Sequence, residues 1–222
     1  MRLIEQRNLF RSTLEKHYEV SEIDDLFKRA IVHYFSWSTL KIGLEPQYEL
    51  STEEERQLDE LLTELTTGRP FQYCIGTAYF MELKLKVGPG VLIPRPETEE
   101  LIEWVLSEND YAERKVWDIC SGSGCIALAF KNSQPEWSIK GFDISTAALS
   151  IARQNANELE LDVSFEEENV LEWKSYEMGC DLIVSNPPYV LPSEKARMHA
   201  NVLEHEPGLA LFVPEEDPLL FY

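Results

Sequence analysis

From Val116 onward the chain alternates short apolar stretches with helical ones, and this alternation restricts the fold more than any other feature of the sequence. Val116-Trp117-Asp118-Ile119-Cys120 reads as a strand, Ser121-Gly122-Ser123-Gly124 as a glycine-rich turn, and Cys125 to Phe130 as the start of a helix. A second strand runs from Ser138 to Phe142 and ends in Asp143; a helix follows from about Thr146 to Asn157. Val163 to Phe165 gives a third strand and Asp181 to Ser185 a fourth, its Leu182-Ile183-Val184 run suited to burial on both faces. Strands separated by helices pair in parallel, so the pattern implies an α/β fold with helices covering a parallel sheet.

Two strand ends carry the chemistry. Asp143 lies about 20 residues beyond the glycine turn, the spacing at which an acid reaches the ribose hydroxyls of a bound nucleoside. The nucleoside itself is left open, because Gly122-x-Gly124-x-x-Ala127 also satisfies the G/A form of the dinucleotide fingerprint and would admit a nicotinamide cofactor. Asp118 inside the first strand, just before the turn, favours S-adenosylmethionine instead. So does the end of the fourth strand, Ser185-Asn186-Pro187-Pro188-Tyr189. Two prolines remove two backbone donors and fix φ twice, and each pushes its predecessor into an extended conformation. The resulting stiff corner offers the side-chain carbonyl of Asn186, the main-chain carbonyl of Pro187 and the ring of Tyr189. A planar NH2 group conjugated to a carbonyl or a ring is a poor nucleophile; acceptors on both its N–H bonds orient the nitrogen and stabilise the positive charge it gains on attack. An aromatic ring can cover its flat face. A hydride-transfer enzyme has no use for such a clamp.

Upstream, residues 1–70 read as helices only. Leu3, Leu9, Phe10 and Leu14 outline one amphipathic face. Ser21, as N-cap, precedes Ile23, Leu26, Phe27, Ala30, Ile31, Tyr34 and Phe35. A third helix opens on the capping-box spacing of Ser51 and Glu54, carries Leu58, Leu61, Leu62 and Leu65, and stops before Gly68 and Pro70. Residues 71–94 read as a linker built on a β-hairpin, with alternation through 79–87, a turn at Gly88-Pro89-Gly90 and a return strand at Val91-Leu92-Ile93. Residues 95–222 form the catalytic domain. Its first segment, Arg95-Pro96-Glu97-Thr98-Glu99, reads either as a helix cap with an ion pair or as a site for a charged ligand.

A net charge of −20 over 222 residues opposes unassisted binding to duplex nucleic acid and leaves a basic protein partner open. No apolar run approaches the ~18 to 20 residues that span a bilayer, and no signal peptide opens the chain. Cys74, Cys120, Cys125 and Cys180 lack paired spacing and the four histidines are scattered, which argues against zinc and a disulfide framework. A cytoplasmic monomer without a metal is expected.

With these residues in place, the chain resembles the release-factor glutamine N5-methyltransferases, the PrmC/HemK family. The likeness runs from Gln72-Tyr73-x-x-Gly76 through Leu92-Ile93-Pro94-Arg95-Pro96-Glu97-Thr98-Glu99, the glycine turn and Asn186-Pro187-Pro188-Tyr189 to Glu206-Pro207-x-x-Ala210-Leu211. It implies a class I methyltransferase, Rossmann-like sheet behind a helical domain that engages the release factor, with the glutamine of a Gly-Gly-Gln loop as substrate. It further implies that S-adenosylmethionine is held by Cys120, Ser121, Gly122, Ser123, Gly124, Asp143, Asn169, Val170, Arg95, Glu97 and Asn186, and that Asn186, Pro187, Pro188 and Tyr189 receive the glutamine. Cys120 stands where the family has its first glycine, and Asn169 where it usually has an acid near the adenine. Family members continue some tens of residues beyond Tyr222, so a fragment or a shortened form is expected, with the Leu182–Val184 strand on an exposed edge. An adenine N6-methyltransferase using the same clamp on a flipped base is the enzyme alternative. A non-catalytic release-factor-binding protein is the alternative outside enzymes.

Overall fold

The computed structural model describes residues 1–108, 112–173 and 179–222, which fall into two compact units, Met1–Ile75 and Gly76–Tyr222. The first is helical: α1 (Leu3–Leu14), α2 (Val20–Phe35), α3 (Thr39–Leu44), α4 (Thr52–Leu65) and α5 (Phe71–Ile75). Its core takes Leu3, Phe10 and Leu14 from α1, Ile23, Phe27, Ala30 and Ile31 from α2, and Leu58, Leu61 and Leu65 from α4. Leu9, expected on the inner face, is exposed; the buried positions of α1 are 3, 6, 10 and 14, a stripe of three- and four-residue steps that excludes position 9. Gln6 fills the remaining place on that stripe and donates to Asp59 at 2.7 Å. The capping box of α4 forms as expected, with Ser51 and Glu54 each bonding the other's backbone amide. For α2 the cap is Glu19 and not Ser21: the helix starts at Val20, three residues before its buried stripe begins at Ile23.

The expected linker is divided, residues 71–75 forming α5 in the first unit and the hairpin lying within the second. The hairpin consists of β1 (Thr77–Phe80) and β2 (Leu83–Lys86), with Phe80 opposite Leu83, so it reverses at Met81-Glu82 and not at Gly88. Met81 adopts a left-handed φ of 52°, and its N–H donates to the Glu99 carboxylate at 2.7 Å. A long-range carboxylate holds this turn, which is why the apolar alternation through 79–87 gives no sign of it. Gly88 does begin a turn, closed by Val91 N–H on its carbonyl, but Val91–Ile93 form no strand.

The rest of the second unit follows the strand–helix alternation. In order come α6 (Pro96–Glu108), β3 (Lys115–Ile119), α7 (Cys125–Ser133), β4 (Ser138–Asp143), α8 (Thr146–Glu158), β5 (Ser164–Glu167), β6 (Leu182–Ser185) and α9 (Ala200–His205). The four strands after α6 form a parallel sheet in the order β5-β4-β3-β6. Val116 of β3 and Ile139 of β4 join Ile126 to Phe130 of α7 and Leu149 and Ala152 of α8 in one core. Trp117, Phe142 and Trp173 form a separate edge-to-face triad.

The chain steps outward from β3 through β4 to β5, then returns to place β6 on the other side of β3. Ligands of open α/β sheets bind beyond the carboxyl ends of strands at such a reversal. β6 is an edge strand among the described residues, and Ile183 is 38% exposed. This corrects the expectation of burial on both faces: an apolar run of strand-forming residues looks the same at an edge as in the centre.

Candidate active site

The register of β3 against β6 pairs Ile119 with Ser185, so the glycine turn and the Asn186-Pro187-Pro188 corner leave the sheet side by side. The Ser185 hydroxyl donates to the Ile119 carbonyl at 2.7 Å and joins the last residues of the two strands. Beyond them lies a cavity of about 320 Å³, lined by Arg95, Thr98, Cys120, Ser121, Gly122, Ser123, Asp143, Asn169, Val170, Asn186 and Pro188 together with apolar side chains. Gly124, Glu97, Pro187 and Tyr189 do not line it. Gly124 caps α7 at φ 79°, where an added Cβ would fall 2.7 Å from the Phe165 ring, so its need for glycine comes from packing beneath the turn. Glu97 is exposed in the first turn of α6, Pro187 is buried, and Tyr189 is 59% exposed.

Three long-range contacts give the turn its shape. Asp143 accepts from the amides of Gly122 and Ser145, both at 2.8 Å, one on each carboxylate oxygen. Each oxygen keeps a further lone pair toward the cavity mouth for a hydroxyl donor. Asn155 of α8, almost wholly buried, accepts from Lys86 N–H at 2.6 Å and donates to the carbonyls of Lys86 (3.1 Å) and Ser123 (3.0 Å), tying the hairpin to the turn. Asp118 accepts from Ala127 N–H at 3.1 Å at the start of α7. Its burial raises the carboxyl to about 8, although the Ala127 amide opposes the shift and the Asp143 charge adds to it. Asp118 therefore sits as a neutral acid behind the turn. The thiols of Cys120 and Cys125 are pushed up to about 12, mainly by burial, and are not nucleophiles at neutral pH. Cys120 adopts φ 59°, the left-handed conformation natural to glycine, so the turn keeps its usual path with a strained residue at its first position.

On the other side, Asn186 Nδ2 donates to Thr98 Oγ1 at 3.4 Å. Among the described residues nothing donates to Asn186 Oδ1 or to the Pro187 carbonyl. Asn186, on the cavity wall, thus keeps its oxygen free for an incoming NH2 group, while the Pro187 carbonyl is unpaired on a buried residue beside the cavity. Arg95 pairs with the buried Glu206 at 2.5 Å, and Glu206 also accepts from Ile93 N–H at 3.1 Å, so the ion pair holds the cavity rim together. The ion pair expected within Arg95-Pro96-Glu97-Thr98-Glu99 is replaced by two distant contacts: Arg95 pairs with Glu206, and Glu99 accepts from Met81 N–H. Asn169 is spent locally: it caps the short turn after it through Leu171 N–H and donates to Glu172 at 2.8 Å. Asn155 escaped the sequence reading, and Thr98 and Glu206 entered it only as motif residues without a role, because their partners lie 69, 88 and 113 residues away.

The lining suits S-adenosylmethionine. The Ser121 hydroxyl in the wall and Oδ1 of Asp118 behind it are buried with no hydrogen-bond partner among the described residues. An added Cβ at Gly122 would meet nothing within 4 Å, so the turn leaves open space above its backbone. Asp143 presents carboxylate acceptors in the cavity wall, and half-exposed Ile144 and Leu171 add apolar surface to it.

Residues 97–206 match the Methyltransferase small domain and residues 5–76 the PrmC N-terminal domain. A release factor glutamine methyltransferase of Flavobacterium psychrophilum is 39% identical over 220 residues, covering 97% of this chain and 77% of that protein. The protein of the same description from Bacteroides thetaiotaomicron is 41% identical over 213 residues, covering 96% and 76%. That from Streptococcus pneumoniae is 44% identical over 177 residues, covering 79% and 62%. The parallel sheet with its reversal beside β3, the glycine turn meeting the Asn-Pro-Pro-Tyr corner, and identity of this extent have one consequence: the chain belongs to the release factor glutamine methyltransferase family.

Proposed function

We propose that the protein methylates the side-chain amide nitrogen of a glutamine in peptide-chain release factors, the glutamine of their Gly-Gly-Gln loop, using S-adenosylmethionine. The observation that carries this reading is the shared cavity: the turn held by Asp143 and the free acceptor end of Asn186 line the same space. S-adenosylmethionine, when bound, supplies an electrophilic methyl group on a sulfonium. Asp143 would receive the ribose hydroxyls, residues 120–123 would line the methionine and ribose portion, and Val170 with Asn169 would flank the base.

Asn186 Oδ1 and the Pro187 carbonyl would accept the two amide hydrogens, holding the nitrogen in line and stabilising the charge it gains. Tyr189, exposed beside the corner, would cover the amide plane. The two carbonyls would stabilise the positive charge, and the proton that the methylated nitrogen loses would pass to water at the open corner; an N-protonated amide is acidic enough to need no strong base. Arg95 is committed to Glu206 and would act by holding the rim. Glu97, exposed and off the cavity, is left without a role in cofactor binding. The helical first unit would engage the release factor, and the charge of −20 would assist a basic partner and oppose nucleic acid. A cytoplasmic monomer completes the proposal; separately, among the described residues no helix is long and apolar enough to cross a membrane.

Mass spectrometry of a release factor incubated with the protein and S-adenosylmethionine tests the proposal. One added methyl on the loop glutamine is the expected product. Methylated adenine in nucleic acid, or no transfer together with no heat of S-adenosylmethionine binding in calorimetry, would instead favour one of the two alternatives.

A further inference from the structure

We infer that Thr98 is a positioning residue for Asn186, holding the rotamer and plane of its amide at the reacting nitrogen; this rests on the reading of Asn186 above. An Asn side chain has one accepting and one donating end of nearly equal shape. The clamp works only with the oxygen toward the substrate NH2; the opposite orientation would set donor against donor. The Thr98 hydroxyl accepts from Nδ2 at 3.4 Å, and among the described residues nothing donates to Oδ1; because a hydroxyl can also donate, the contact fixes where the amide sits and the substrate NH2 then favours the oxygen end. Thr98 is buried, and its backbone is fixed on both sides in sequence. Its N–H bonds the Arg95 carbonyl while the Arg95 guanidinium pairs with Glu206, and Glu99, one residue on, holds the Met81 amide of the hairpin turn. Prolines 94 and 96 restrict the same segment. A side chain on such a mount sets the rotamer of another far better than one on a free loop.

The experiment compares Thr98→Val, which keeps shape and removes the acceptor, with Thr98→Ser, which restores a hydroxyl. Calorimetry would give S-adenosylmethionine affinity, and methylation of a release factor would give kcat and KM. Thr98→Val is expected to lower kcat about 10-fold, the loss of one modest hydrogen bond. Cofactor affinity and release-factor KM should each change less than about twofold, and Thr98→Ser should regain most of the rate. In an Asn186→Ala background, Thr98→Val should cost nothing further, since the group it orients is gone. Unchanged kcat in Thr98→Val, a full additional loss in the double variant, a loss confined to cofactor affinity, or failure of Thr98→Ser to recover would each overturn the inference. Should Thr98→Val not fold, Thr98→Ala removes the same acceptor without a clash and carries the same test. If Asn186→Ala alone left turnover intact, the reading beneath would fall, an outcome distinct from all of these.

Discussion

At the end of β3 the chain turns inside a web of its own bonds; at the end of β6 it turns on two prolines and a single side-chain tether. The first turn has Asp143 on Gly122, Asn155 on Ser123, Asp118 behind it and Phe165 packed where side chains on Gly124 or Gly141 would have to go. Its strand has a neighbour on each side. The second turn leaves an edge strand, keeps two acceptors unpaired and puts Tyr189 into solvent. The difference fits the two ligands. A small cofactor is enclosed by a site that must be preformed, whereas a side chain delivered by a macromolecule needs an open approach and a few fixed acceptors.

If the enclosed half is as preformed as this, its perturbation should register first in stability and cofactor affinity. The largest effect is expected at Asp118. Its carboxyl stays protonated in the folded chain up to about 8 but in the unfolded chain only below its ordinary value of 3.8. Between those values the folded state binds more protons, so unfolding free energy falls as pH rises through the window, with a slope of at most about 1.4 kcal/mol per pH unit. Asp118→Asn, near in shape and unable to ionise, should flatten this dependence in denaturant titrations at several pH values; an unchanged slope would place the proton elsewhere. Next, Asp143→Ala should weaken S-adenosylmethionine binding by roughly 100-fold in calorimetry, through lost acceptors and a loosened turn. Asp143→Asn, retaining one carbonyl oxygen, should lose less. Asn155→Ala removes three buried hydrogen bonds and is expected to cost about 2 kcal/mol in urea unfolding, with a smaller fall in cofactor affinity as the turn relaxes. None of the three should alter the open half directly. Loss of turnover at saturating cofactor and full folding would blur the distinction between the two turns.

How much of this the sequence disclosed follows the same division. The alternation after Val116, the acid at Asp143 and the Asn-Pro-Pro-Tyr corner are local signals, and each stands at the strand end expected of it. Residues whose role depends on distant partners were illegible. Asn155 reads as an ordinary polar helix residue until Lys86 and Ser123 are seen around it, and Glu206 as part of a motif until Arg95 and Ile93 converge on it. The hairpin was misplaced for a related reason: its reversal uses a left-handed methionine held by Glu99, and no glycine or asparagine marks it. The edge position of β6 was implied by the resemblance alone; the apolar run of Leu182–Val184 by itself read as a strand buried on both faces.

The central claim is that Asn186 serves the amide that accepts the methyl group and not the cofactor. The direct measurement pairs two readouts on Asn186→Ala: S-adenosylmethionine affinity by calorimetry, and turnover on a release factor at saturating cofactor. The account expects affinity within about threefold of the parent protein and turnover lower by about 10²- to 10³-fold, the scale on which one preorganised transition-state contact acts. Unchanged turnover, or a loss explained entirely by weakened cofactor binding, would contradict it.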